Sequence, residues 1–122
     1  MIEIIPFDEG NIVGFKLAGK IDDQSYHNAV NAINAALENN NKIRIYAEVV
    51  SIGGMSLDAF FDNIKTKFGY FRELDRFEKE AVVSDKKWIE SLVGISDAIF
   101  RSVEVRHFSF EETEEALDWV KS

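Results

Sequence analysis

The sequence predicts an α/β domain built on a mixed five-stranded sheet, with an N-terminal antiparallel hairpin and four helices mainly on one face. Three observations predict it. The last third of the chain alternates strand-like and helix-like segments, which implies β-α units feeding parallel strands. Two strand-like runs at the start are joined too closely for a parallel pair and require a hairpin. Finally, the runs at 42–50 and 102–108 alternate apolar with polar residues, whereas strands covered on both faces read as continuous apolar runs. At 122 residues, without repeats, low-complexity tracts or linkers, residues 1–122 form one domain.

Residues 2–6 and 11–18 are the two strands of the hairpin, joined by Asp8-Glu9-Gly10-Asn11, a turn composition. Gly19 and Asp22 break the second strand, and Asp22 or Asp23 caps a helix in which Tyr26, Ala29, Val30, Ile33, Ala36 and Leu37 recur at helical spacing. Asn39-Asn40-Asn41 ends that helix. The strand after it sets Ile43, Ile45, Ala47 and Val49 against Lys42, Arg44, Tyr46 and Glu48. A second helix spans about 56–74, followed by a strand at 78–84 and a third helix over 85–99. The last strand sets Val103, Val105 and His107 against Glu104, Arg106 and Phe108, and the helix of 109–122 opens on Ser109 and Glu112, a capping box.

Composition narrows the function classes. Hydrophobic residues make up 46% and charged residues 30%, as in an ordinary soluble domain. No apolar run is long enough to span a membrane, and no basic segment followed by an apolar core marks a signal peptide. The absence of cysteine removes disulfide and thiolate chemistry and fits a reducing compartment, so the expected location is cytoplasmic. The net charge of −8, from 22 acidic and 14 basic residues, repels phosphate backbones and anionic lipid surfaces. Lys86-Lys87 is the one tight basic cluster, so nucleic acid is not an expected partner.

The densest anomaly is the aromatic second helix. Leu57, Phe61, Ile64, Phe68 and Phe71 form a stripe at helical spacing, with Phe60 and Tyr70 beside or off it and Phe77 just before the next strand. Core filling accounts for the stripe; the surplus suits the lining of an apolar pocket or a dimer contact. Gly69 weakens this helix by roughly 1 kcal/mol relative to Ala, as a bend or a moving gate would require. The turn Ser51-Ile52-Gly53-Gly54-Met55-Ser56 precedes it, at the edge of the sheet where open α/β folds place ligands. Gly53 and Gly54 allow an anion close to the backbone, but no lysine follows as in a P-loop. Ser56 reads either as the helix cap, with Asp58 in the first turn, or as a site of phosphate binding or phosphorylation.

The remaining candidates are weaker. His27 on a helix and His107 near a strand end read as satisfied or partly exposed histidines, and no second histidine or cysteine stands at ligand spacing. Asp22-Asp23 ahead of a helix reads as a cap before a cation site. Ser84-Asp85-Lys86-Lys87 matches S-x-x-K by letter only, and Ser84 or Asp85 is better read as a cap. No metal, cofactor or nucleophile–base pair is expected.

Glu80-Ala81-Val82-Val83-Ser84-Asp85 followed by Trp88, then Val105-Arg106-His107-Phe108, and finally Glu115-Ala116-Leu117-Asp118-Trp119-Val120 together resemble the SpoIIAA-like family of small bacterial STAS/SEC14-like domain proteins. Gly19, Asp22 and the Gly54–Ser56 turn fall in fitting places, so the resemblance spans most of the chain. It implies a β-α superhelix with helices mainly on one side of a mixed sheet. In STAS-type anti-sigma-factor antagonists it implies a phosphorylatable serine at the start of the helix after the central strand, which places it on Ser56, although Met55 stands where that switch motif has aspartate. In SEC14-like domains it implies an enclosed apolar ligand such as a lipid tail.

The expected function is therefore a non-enzymatic binding domain holding a small apolar or amphipathic, lipid-like ligand against Leu57, Phe60, Phe61, Ile64 and Phe68. The alternative is a regulatory protein-interaction module that docks through Gly53, Gly54 and Ser56 and is switched by phosphorylation at Ser56. An enzyme ranks third, because no acid–base or metal constellation converges. A homodimer is a further expectation, since one sheet face and the surplus aromatics both need cover.

Overall fold

The computed structural model describes residues 1–51, 76–85 and 104–122. Five strands form one sheet in sequential order: β1 (Ile2–Ile5), β2 (Ile12–Leu17), β3 (Ile43–Val49), β4 (Phe77–Val83) and β5 (Glu104–Phe108). β1 and β2 are antiparallel, and β2 to β5 run parallel. The mixed sheet and the opening hairpin are as the sequence predicts. Two α-helices, not four, are present among the described residues: α1 (Asp23–Asn39) and α2 (Thr113–Lys121). The helices expected over 56–74 and from Asp85 onward lie outside these residues. None of the described helices is long and apolar enough to cross a membrane.

The hairpin depends on a missing side chain. Gly14 pairs with Ile5, and a Cβ at this position would lie 2.5 Å from Phe7 Cε2 and 2.7 Å from the Ile5 carbonyl. That close approach lets the Phe7 ring meet Tyr46 edge to face, with centroids 5.7 Å apart. Past β2 the chain turns at Gly19, whose φ of 69° lies in the left-handed region. Asp22, rather than Asp23, then caps α1: its carboxylate accepts from the Ser25 N–H at 2.8 Å. Those hydrogen bonds from Ser25 hold the Asp22 carboxyl below its ordinary range.

The two helices bury their stripes on opposite faces of the sheet. Tyr26, Ala29, Ile33 and Leu37 of α1 pack with Val13, Phe15, Leu17, Ile43, Ile45, Val49 and Val82. Ala116 and Val120 of α2 pack with Ile12, Tyr46, Ala81, Val83 and Phe108. Of the two described helices, each covers its own face. The reason is that the polar row of β3 is not solvated. Tyr46 is only 1% exposed, its hydroxyl donating to Glu48 Oε2 at 2.6 Å, and Arg44 donates to the Val120 carbonyl at 2.8 Å. β4 carries the signature of two-sided cover, since Ala81, Val82 and Val83 are all buried.

Cations close both helix C-termini, where carbonyls lack intrahelical partners. Arg76 donates to the Leu37, Asn40 and Asn41 carbonyls at the end of α1, a helix with no basic residue in its own last turn. At the end of α2, Arg44 reaches Val120, and Lys79 donates to the Trp119 carbonyl at 3.2 Å and the Ser122 hydroxyl at 3.0 Å. Lys79 and Arg106 also sit over the Trp119 ring, 5.0 and 5.5 Å from its centre. The last helix begins later than its capping box suggests. Ser109 N–H does donate to Glu112 Oε1 at 2.9 Å, but Phe110–Glu112 form a 3-10 turn ahead of α2.

Candidate functional site

The carboxyl ends of the parallel strands gather at one edge of the sheet, where open α/β folds bind ligands. At that edge Val50 N–H donates to the Leu17 carbonyl at 2.8 Å, and Gly19 N–H donates to Ser51 Oγ at 2.7 Å. These bonds fix the point from which the chain leaves the central strand β3 toward 52–56. The residues expected to act there, Gly53, Gly54 and Ser56, lie outside the described residues, as do Leu57, Phe60, Phe61, Ile64 and Phe68. One strand over, Ser84 is fully buried: its N–H donates to the Phe108 carbonyl at 3.0 Å, and its hydroxyl faces the Asp85 carbonyl at 3.3 Å.

The register sorts polar side chains strictly between the two faces. Lys16, Arg44, Glu48, Lys79 and Arg106 share the α2 face with Tyr46 and Phe108. On the α1 face stand Ile2, Ile4, Val13, Phe15, Leu17, Ile43, Ile45, Ala47, Val49, Phe77, Val82 and Val105, with two polar residues among them, Glu80 and His107. A one-residue register shift between Ile43 and Arg44 produces this sorting. It leaves Phe77 opposite Ile43 while turning Glu80 to the same face, opposite Ile45, and lets Glu78 meet Arg44 Nε at 3.0 Å.

Glu80 and His107 are diagonal neighbours. Glu80 pairs with Val105 and Val82 with His107, so the two stand one strand and two residues apart, about 8 Å between Cα atoms for standard sheet spacings. Glu80 is half-buried and meets no hydrogen-bonding or ionic partner among the described residues. Burial alone pushes its carboxyl from 4.5 up to about 7. Burial likewise lowers the His107 imidazole from its ordinary 6.5, and its Nε2 is a buried atom with no hydrogen-bond partner. Of the two readings the sequence leaves for His107, satisfied or partly exposed, the second holds: the residue is half-buried with Nε2 unpartnered. Glu80 belongs in the sequence to the family resemblance and is not a candidate site residue there. Its one signal was position: an acid in register with the apolar row of β3.

The pair lacks the surroundings of a catalytic centre among the described residues. Ser51 Oγ and Ser84 Oγ are engaged as above, Tyr46 lies on the other face, and no cluster of three metal-ligating side chains occurs. What the arrangement offers is an apolar floor of Ile45, Val82 and Val105 bearing a carboxyl that favours its neutral form and an unpaired imidazole nitrogen. His27, the second histidine, is exposed on α1 and lines an open depression of about 520 Å³ with Asp23, Gln24 and Val30.

A family model described as SpoIIAA-like matches residues 12–121. The chain belongs to the SpoIIAA-like family. Among solved structures, it is similar to an uncharacterised protein with a SpoIIAA-like fold from Shewanella loihica, with a TM-score of 0.68 and 22% identity over 98% of this chain and 92% of that one. That likeness establishes the fold. No protein of curated function matches. The segments that carry the SpoIIAA-like resemblance in the sequence form the end of β4, most of β5 and α2. Glu80 and His107 both fall within these segments.

Proposed function

We propose that this protein is a binding domain, without catalytic chemistry of its own, that holds a small amphipathic molecule against the α1 face of β3, β4 and β5. The observation that carries the reading is the Glu80–His107 pair. A buried polar atom without a partner costs about 1–3 kcal/mol, and native folds leave few of them. His107 Nε2 is such an atom, on an otherwise apolar face and near the carboxyl edge of the strands, and the polar end of a bound molecule would supply its partner, with the half-buried Glu80 carboxyl as its neighbour. The apolar end would lie on Ile45, Val82 and Val105. Leu57, Phe60, Phe61, Ile64 and Phe68 are proposed as the opposing apolar wall. The test is native mass spectrometry of the protein after mild purification, alongside organic extraction. A bound amphiphile in stoichiometric amount is the expected result; its persistent absence, with no binding of added amphiphiles, overturns the reading.

One observation favours a second reading, in which the protein is a regulatory module switched at Ser56. Segment 52–56 follows directly on the central strand β3, whose end is held by Ser51 and Gly19, and family members of the STAS type carry their switch serine after that strand. This reading predicts a protein partner whose affinity falls on Ser56→Glu. Unchanged affinity defeats it.

A further inference from the structure

We infer that Glu80 and His107 together recognise the uncharged hydroxyl head of a small amphiphile, an inference that rests on the binding reading above and adds the class of ligand. Charge placement carries it. Every cation on the described strands, Lys16, Arg44, Lys79 and Arg106, lies on the opposite face. Arg76, the cation at the start of β4, is engaged with the carbonyls that end α1. A phosphate or carboxylate head on the α1 face would thus be desolvated beside Glu80 without a compensating positive charge from the described residues, which costs far more than burying a neutral group. A cationic head would need Glu80 ionised on an apolar floor of Ile45, Val82 and Val105.

A hydroxyl meets both groups without such a penalty. It accepts a hydrogen bond from the neutral carboxyl and donates one to an unprotonated imidazole nitrogen, and it can accept instead where Nε2 carries the proton. The separation of the two strand positions, about 8 Å at the Cα atoms, leaves room for one small polar group between the side chains. The tail would run along the apolar row of β3 and β4, which continues through Ala47 and Val49 toward the carboxyl edge.

The inference is tested with four probes that share a decyl tail and differ in the head: 1-decanol, decanoate, decyl phosphate and decyltrimethylammonium. Affinities are measured on the full chain by calorimetry at neutral pH. Decanol should bind tightest, by roughly tenfold or more over the charged probes, the worth of one buried hydrogen bond lost. Glu80→Leu and His107→Leu should each erase that preference while sparing affinity for the tail, and Glu80→Gln, which keeps a neutral donor, should retain it. Circular dichroism of each variant shows that it is folded. Equal affinity for all four heads, or tighter binding of a charged one, overturns the inference and leaves the binding reading standing. If no probe binds at all, both fail.

Discussion

Replacing Glu80 by Gln should make the protein more stable at alkaline pH and change it little in acid. Folding raises the carboxyl from 4.5 to about 7, so the folded state holds this proton more tightly than the unfolded chain does. The stability linked to that proton is fully present below 4.5 and is lost as the pH rises through 7. Each pH unit of difference is worth about 1.4 kcal/mol, so an ionised Glu80 destabilises the fold by about 3 kcal/mol above neutrality. Glutamine has the size of the neutral acid and does not titrate, so it is free of this penalty.

The measurement is equilibrium urea unfolding of both proteins at several values between about pH 5 and about pH 8, where the stability gap should widen by about 2.5 kcal/mol in favour of the variant. His107 works in the opposite direction. Its lowered pKa means that its contribution is present above 6.5 and is lost as the pH falls through and below that value. Because both proteins keep His107, its contribution cancels in the comparison. Stability curves that run parallel across this range would refute the claim that folding desolvates Glu80 without giving it a partner among the described residues.

Three further outcomes follow from the packing. Gly14→Ala should lower stability by about 1–3 kcal/mol, read as a fall in the urea midpoint, because the new methyl meets the Ile5 carbonyl and the Phe7 ring. Arg44→Ala should cost about 1–3 kcal/mol and speed hydrogen exchange in α2, since it strips the Val120 carbonyl of its donor; Glu78→Gln, at a pair with half-exposed Glu78, should cost under about 1 kcal/mol. Tyr46 should resist ionisation in an alkaline absorbance titration until the protein unfolds, because burial and the Glu48 carboxylate both raise its pKa; Tyr46→Phe should remove that late step.

How much of this was legible in the sequence depends on which physical signal carried it. Hairpin, helix caps and strand positions are local properties, and Asp8-Glu9-Gly10-Asn11, Asp22 and Ser109-Glu112 announce them in order. The sidedness of the sheet is not local. The alternation in β3 looks like one dry face and one wet face, because Arg44, Tyr46 and Glu48 are polar by type. In the fold Arg44 serves the end of α2, through a bond to a carbonyl 76 positions away, and Tyr46 packs with that helix while donating to Glu48, which no periodicity reveals. Ala81-Val82-Val83 is the one run in β4 with the continuous apolar character of a strand covered on both faces, and at three residues it is too short to set the sidedness of the sheet. Glu80 was invisible for a related reason: in Glu78-Lys79-Glu80 it sits in an ordinary charged run, and only the register shift beside Arg44 turns it toward Ile45.

That shift links the structural and functional sides of the sheet. With unbroken alternation, Phe77 and Lys79 would share one face and Glu78 and Glu80 the other, so a cation would stand with the aromatic ring and Arg44 would face no acid. The irregularity lets β4 place Lys79 beneath α2, Glu78 beside Arg44, and Glu80 alone on the α1 face. The helix termini thereby draw the cations of the described strands to one face, and the opposite face is left with an acid that favours its proton and an imidazole that favours losing one. Deleting Glu78, the extra residue of β4, should remove the irregularity while leaving Lys79 opposite Arg44 and Glu80 opposite Ile45: the Glu78–Arg44 ion pair is lost, at a cost of under about 1 kcal/mol, and α2 keeps its cationic anchors. A deletion variant that loses α2 protection in hydrogen exchange would show that the extra residue itself, and not the pairing on either side of it, holds the cations beneath α2.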